Sequence, residues 1–527
     1  MIGSCKKDYK DEEWCARAPL FCLFALLYFS TAYATDARTA LQNAATLFEQ
    51  GKLEEADQQA RLALSNPQTR AVACSVLGSI RFQQKKLTES ARYLQEAIQL
   101  EPHLLGAHLS LAQVYTLQGK PELALPLYRR VLTLDPSNVS ARLALAQSET
   151  AKGNYKKSLE LAQPVLPALK QSPDGLLMLA TDYLKTDDRA AAAALASDWE
   201  HLMGVPPELS IQFALLLAKG GVVPEAIDIL EGAKQRGSQS YELVFNLGGL
   251  YVLKKDSERA LESYDQALSL RPDSLPALRQ AAGIAEDANE LERSLSYWMR
   301  AKKIEPNNPE ILFGFGRVCL KMDLLEDAEP ALTQAVSLQP GNVSYQYTLA
   351  ATKVGKKQFE AAQGILESLI KQKPTSAQLH YALGSVLYLQ SHLDDAATHL
   401  RESVRLQSEQ LAPYYYLALV ARDQGRDAEA IHGLESLLQR YPDHAPSCEA
   451  LGSLLMSARR YSEAEANLEK AVRLNPKSVK ANYQLGLLLT RMGKKEEADK
   501  RLELAKALRK EDAENSRLQL RLTDPDQ

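Results

Sequence analysis

Apolar and polar positions along this chain follow a helical period, and the pattern itself recurs. Over residues 243–270, Leu243, Leu247, Leu250 and Tyr251 fall at helical intervals, as do Ala260, Leu261, Tyr264, Ala267 and Leu268. Spacings of three and four put side chains on one face of an α-helix. Lys254, Lys255 and Asp256 stand between the two runs, so the spacing predicts two antiparallel helices joined by a short polar turn. A small residue then returns every 34 positions, through Ala44, Gly78, Ala112, Ala146, Ala180, Ala214, Gly248, Ala282, Gly316, Ala350, Gly384, Ala418, Gly452 and Gly486, without insertion or deletion. A second small column runs twelve residues later, from Ala56 and Ser90 to Ala464 and Ala498. Small residues on both helices let two backbones approach while larger neighbours interdigitate around the contact. A fixed interval of this length predicts one two-helix unit stacked on copies of itself.

Prolines mark the end of each unit, at Pro102, Pro136, Pro272, Pro306, Pro340, Pro374, Pro442 and Pro476. Proline disfavours a helical conformation in the residue before it, and its neighbours here suit the start of the next helix. In Glu305-Pro306-Asn307-Asn308-Pro309-Glu310, Asn308 is the expected N-cap and Pro309 the first helical residue, where a missing N–H costs little. Asn138-Val139-Ser140 and Asn342-Val343-Ser344 match a glycosylation acceptor, but they occupy the same point of two repeats and are read as helix caps.

The period, the two small columns and the proline column together resemble the tetratricopeptide repeat family over roughly residues 37–510, about fourteen units. The resemblance implies an all-α, right-handed α-solenoid whose first helices line a concave groove that binds other proteins. The family's first-helix tryptophan is absent, its place taken by Cys74, His108, Leu278, Tyr414 and Cys448, and the proline column lapses at Lys170, Gly204, Ser238 and Ser408. Charged chaperone-tail clamps of the family are not matched, since the corresponding column holds Leu109, Leu143, Leu177, Ile211, Phe245 and Phe313. An asparagine ladder reduces to Asn246.

Length and charge agree with a stacked array. At 527 residues the chain exceeds an ordinary single core, yet no composition break divides it. Its 62 basic and 66 acidic residues leave −4, with no basic stripe, so nucleic acid is not an expected partner. The N-terminus differs in kind. Leu20 to Phe29 is an apolar run preceded by Arg17 and followed by Ala32-Tyr33-Ala34, a small-x-small cleavage signature. Residues 1–34 are therefore expected to be a secretory signal, which makes the protein exported, periplasmic or secreted. The alternative is an uncleaved membrane anchor, because the seventeen uncharged residues from Ala18 to Ala34 lie at the lower margin of a span. Beyond the leader the cysteines are Cys74, Cys319 and Cys448, in distant repeats, so packing is expected of them rather than redox or metal chemistry.

Catalytic and cofactor signatures are missing: the chain has no Gly-rich phosphate loop, no His-Glu-x-x-His, no zinc-spaced cysteine pairs and no Gly-x-Ser-x-Gly elbow. No enzyme activity, cofactor or metal is expected. His380, His392 and His399 share one repeat, but no carboxylate stands where it would complete a set of ligands. Candidate partner-binding residues come from the resemblance. The column three residues before the first small residue faces the groove in the family, and here it reads Phe245, Arg279, Phe313, Tyr347, Tyr381, Tyr415, Glu449 and Tyr483. Tyr388 and Arg422 lie two helical turns further along the same stripe. Two readings are open, an aromatic strip that grips a peptide and tyrosines that pack between neighbouring repeats.

Residues 163–240 are irregular, with Pro164, Pro167, Pro173, Pro206 and Pro207 out of column, Gly220-Gly221, and alanine from Ala190 to Ala194. They are expected to be folded repeats, with a hinge as the alternative. Residues 511–522 are expected to form a short capping helix before a loose polar tail. The whole reads as an exported, non-enzymatic scaffold for an envelope or secretion assembly. A membrane-anchored adaptor, or an accessory subunit holding a polysaccharide or peptide along the groove, are its rivals.

Overall fold

The computed structural model describes residues 32–237 and 239–522, with the side chains of 36–237 and 239–510. Every regular element among the described residues is helical. The chain divides between Pro272 and Asp273 into two compact units. Each unit is an α-solenoid of seven helical hairpins. The first runs from the pair Ala32–Glu49 and Leu53–Ala63 to the pair Tyr241–Lys254 and Ser257–Leu270. The second runs from Leu275–Asp287 and Leu291–Ile304 to Val479–Arg491 and Lys495–Leu522. The expected signal segment lies outside the described residues, except that Ala32 to Ala34 fall in the first turn of Ala32–Glu49.

The small columns are where the two helices of a hairpin touch. A Cβ on Gly384 would lie 2.7 Å from Leu400 Cγ and 3.2 Å from the carbonyl oxygen of Ala396, the small residue of the partner helix. Gly452 meets Leu468 and Ala464 in the same way. At Ser90 and Ser294 of the second column the hydroxyl turns this closeness into a hydrogen bond. Ser90 Oγ donates to the Gly78 carbonyl at 2.7 Å and Ser294 Oγ to that of Ala282 at 2.8 Å.

A third column emerges at the turn inside each hairpin. Gly51, Lys85, Gly119, Gly153, Asp187, Gly221, Lys255, Asn289, Asp323, Lys357, Ser391, Gly425, Arg459 and Gly493 all have positive φ, between 58° and 86°. They too stand 34 apart. One left-handed residue ends the first helix and reverses the chain, a position that favours glycine because it lacks Cβ. Eight of the fourteen are not glycine.

Between hairpins the proline turn behaves as expected. Glu101, before Pro102, is extended at φ −138° and ψ 91°, and the helix stops there. Asn308 Oδ1 accepts from the backbone N–H groups of Glu310 and Ile311 at 3.0 and 3.3 Å. Asn138 caps Ala141 at 3.1 Å, and Asn342 caps Ser344 and Tyr345 at 3.1 and 3.3 Å. The position of the family's tryptophan does more than pack. From it, Arg142 Nε donates to the Pro136 carbonyl at 2.7 Å and Asn482 Nδ2 to that of Pro476 at 3.0 Å. His108, Gln346 and His380 bond the carbonyls of Pro102, Pro340 and Pro374, and the Cys448 thiol points at Pro442. Each bond engages a carbonyl of the turn that follows the helix.

The irregular stretch folds into the first unit. Pro164 and Pro167 break one second helix into Tyr155–Ala162, a 3-10 turn at Gln163–Val165 and a single turn at Leu166–Leu169. Val165 and Leu169 stay buried, so the core survives the break. The alanine-rich helix Arg189–Glu200 lies directly against Val223–Gln235, a contact between two second helices that small side chains allow. Trp199 stacks on Phe213 with centroids 4.1 Å apart and donates to Ser210 Oγ at 3.3 Å.

One expectation is corrected at the C-terminus. Residues 511–522 are not a separate capping helix but the continuation of Lys495–Leu522, which runs without a break. The segment contains no proline or glycine and is rich in Glu, Lys, Leu, Ala and Arg, so nothing stops the helix.

Candidate functional site

In each unit the first helices of neighbouring hairpins touch, as Ala377–Leu389 touches Leu411–Asp423, so one surface of the unit is built from first helices. On the second unit this surface carries four of the predicted residues in a single cluster. Its centre is Tyr416, a residue off the predicted column. The ring of Tyr416 meets those of Tyr381, Tyr388 and Tyr415 edge to face, with centroids 5.9, 5.5 and 5.8 Å apart. Tyr415 extends the set to His444 at 5.3 Å in the next hairpin. Tyr388 Oη donates to Asp423 Oδ2 at 2.8 Å. Arg422 joins them, pairing with Asp423 at 2.7 Å and donating to Tyr388 Oη at 3.1 Å. Tyr347, from the preceding hairpin, accepts a hydrogen bond from Gln378 at 2.7 Å.

All five tyrosines are part-exposed, so the rings interlock neighbouring helices and still offer surface to solvent. Burial pushes the phenols of Tyr381 and Tyr388 up to about 12. They are hydrogen-bonding hydroxyls at any neutral pH. Burial opposes the charge of Asp423, but its bonds from Arg422 and Tyr388 outweigh this and hold its carboxyl below the usual range. The bond to Asp423 in turn raises the Arg422 guanidinium. The cluster is thus aromatic and hydroxylated, and its one charge pair is internally neutralised.

The other predicted residues sit elsewhere. Phe313 stacks on Tyr345 at 4.6 Å beneath the Arg317 guanidinium, 5.3 Å from the ring centroid. Arg317 and Lys321 both pair with the buried Glu286, at 2.7 and 2.8 Å, a charged network that the sequence reading did not single out. Tyr483 is half exposed and outside the cluster. Phe245 belongs to the first unit, between Tyr241 and Tyr264, each 5.5 Å away. Tyr416 and Asp423 are the members of the cluster that the predicted column does not contain. Their signal was the run Tyr414-Tyr415-Tyr416, of which only Tyr415 falls on the column.

Cys74, Cys319 and Cys448 are buried free thiols, raised by burial in each case, which favours the protonated thiol and a packing role. His380 and His399 meet, and His392 stands at the N-cap of Leu393–Leu406. Among the described residues no helix is long and apolar enough to cross a membrane.

Known proteins agree with the fold. Models described as tetratricopeptide repeat match residues 115–181, 324–386 and 455–522, with others of the same description at 75–139, 241–274 and 414–444. Together they span more than half of the sequence. The chain belongs to the tetratricopeptide repeat proteins. Local similarity extends to the general transcriptional corepressor ssn6 of Schizosaccharomyces pombe, 27% identical over 132 residues, 25% of this chain and 12% of that one. The photosystem I assembly protein Ycf3 of Acaryochloris marina is 34% identical over 80 residues, 12% of this chain and 48% of its own. The chain therefore spans less than half the length of these relatives. Among solved structures, a tetratricopeptide repeat protein from Parabacteroides merdae aligns at a TM-score of 0.40 with 17% identity, over 47% of this chain and 98% of that one. Yeast Tom70 aligns at 0.34 with 16% identity, over 91% and 97%.

Proposed function

We propose that this protein is a non-catalytic scaffold that binds a polypeptide segment of another protein along the first-helix surface of its second unit. The observation that carries the reading is the tyrosine cluster around Tyr416, where apolar ring area and fixed hydroxyls stand together on one face. Rigid aromatic side chains offer large contact area at low entropic cost, and hydroxyls bond the carbonyls of an extended chain. Replacing Tyr347, Tyr381 and Tyr415 together by Ala tests this. The variant is expected to keep its cooperative helical melt and lose the partners that the unaltered protein captures from its native extract. Unchanged capture by a folded variant would overturn it.

The finer reading places the scaffold outside the cytoplasm, in an envelope or secretion assembly, and rests on the apolar run before Ala34. N-terminal sequencing of the native protein from fractionated cells decides it. A start at Thr35 in a soluble exported fraction supports export, whereas an intact leader in the membrane pellet favours an anchored adaptor.

A further inference from the structure

We propose that His380 and His399 form a two-imidazole clip for a borderline divalent transition-metal ion, such as Zn2+, Ni2+ or Cu2+, held between the two helices of one hairpin. His380 stands on Ala377–Leu389 and His399 on Leu393–Leu406. Their Nδ1 atoms are 3.0 Å apart and their rings nearly parallel, at 25°.

The protons can be placed. His380 Nε2 lies 3.1 Å from the Pro374 carbonyl oxygen, which only accepts, so Nε2 carries the proton and Nδ1 presents a lone pair toward His399. Metal-binding histidines are fixed in the same way, by donating their other N–H to a carbonyl or carboxylate. His108 occupies the same repeat position and makes the same bond to Pro102, but its buried Nδ1 meets no second imidazole. The pair at 380 and 399 is therefore an addition to a recurrent structural bond.

The spacing suits an ion. Two nitrogens at metal-bonding distance lie about 2.9–3.4 Å apart for angles between square and tetrahedral, so the separation matches, and the two rings need only turn to aim their lone pairs at the ion. Imidazole is a preferred ligand of these ions. Entry requires the His399 proton to move from Nδ1 to Nε2, with no net proton lost from the neutral pair. Burial and the neighbouring His380 hold the His399 imidazole below its ordinary value, against the opposite pull of Asp395 and Glu402 on the same helix and Glu367 on Phe359–Gln372. Among the described residues no set of three or more His, Cys, Asp or Glu closes around an ion, so the remaining coordination belongs to water.

Calorimetric titration of the purified, tag-free chain with Ni2+ and with Zn2+ tests the clip. One equivalent per chain is expected, binding tighter at pH 7.5 than at pH 5.5, where protons compete for the same lone pairs. His399→Gln, part-exposed and so tolerant of change, should weaken it at least about tenfold. His392→Gln in the same repeat should leave it unaltered. Cu2+ electron paramagnetic resonance should report two imidazole nitrogens. No stoichiometric uptake, or equal uptake by the folded His399→Gln variant, would overturn the proposal and leave a hydrogen-bonded pair alone.

Discussion

At the scale of the residue, the left-handed column at the hairpin turns is the place where sequence and conformation disagree. A side chain in that conformation costs roughly 1–2 kcal/mol, and glycine returns about 0.5–1 of this as extra unfolded-state freedom. Lys357, at φ 58°, is one such site. Lys357→Gly should raise stability by about 0.5–1 kcal/mol, and Gly425→Ala should lower it by about 1, both read from denaturant melts. Asp182 is a second strained point. Its carboxyl is fully buried, with Oδ1 accepting from Thr150 at 2.8 Å and Oδ2 lacking a partner. Burial raises its proton affinity above the ordinary carboxylate value. The folded state therefore holds this proton more firmly than the unfolded chain, and the stabilisation it gives is full at low pH and is lost as pH rises through the raised value. Asp182→Asn, which stays neutral, should gain in melting temperature over the unaltered protein between pH 4 and pH 8. A constant difference across that range would contradict the burial argument.

At the scale of the element, each hairpin is set by what can lie between its helices. Gly384 admits Leu400 and the Ala396 backbone with no space for a Cβ. Gly384→Leu should cost about 1–3 kcal/mol or more through overpacking, measured as a fall in the denaturation midpoint. The same change at Gly364, where a Cβ would meet nothing, should be almost silent. Hairpins, caps and proline stops were all legible in the sequence, because they follow from short-range spacing and from residue types with one dominant use. The donors to the proline carbonyls were not. Arg142, Gln346, His380, Cys448 and Asn482 perform one task with five chemistries, so the column shows no common residue. The C-terminal extension was misjudged for a related reason: a capping role predicts a boundary, whereas local propensity at 495–522 supplies none.

At the scale of the molecule, the candidate surface was partly legible. Tyr381, Tyr388, Tyr415 and Arg422 come together as their shared stripe implied, but the residue that joins them, Tyr416, lies one position off it. A stripe records one helix, whereas a cluster depends on how neighbouring helices lean together, which no single period encodes. The rings lock adjacent hairpins, as the packing reading expects, and their part-exposed faces support the proposal that the strip grips a peptide.

The left-handed turn residues recur with no slippage from Gly51 to Gly493. Within either unit, a join made at any point in one hairpin and the matching point of the next therefore meets compatible backbone, compatible small residues and a compatible stop. Unequal exchange between stretches of the gene can add or remove a hairpin without creating a misfit, so the length of the first-helix surface is itself a heritable trait, open to adjustment in whole-number steps.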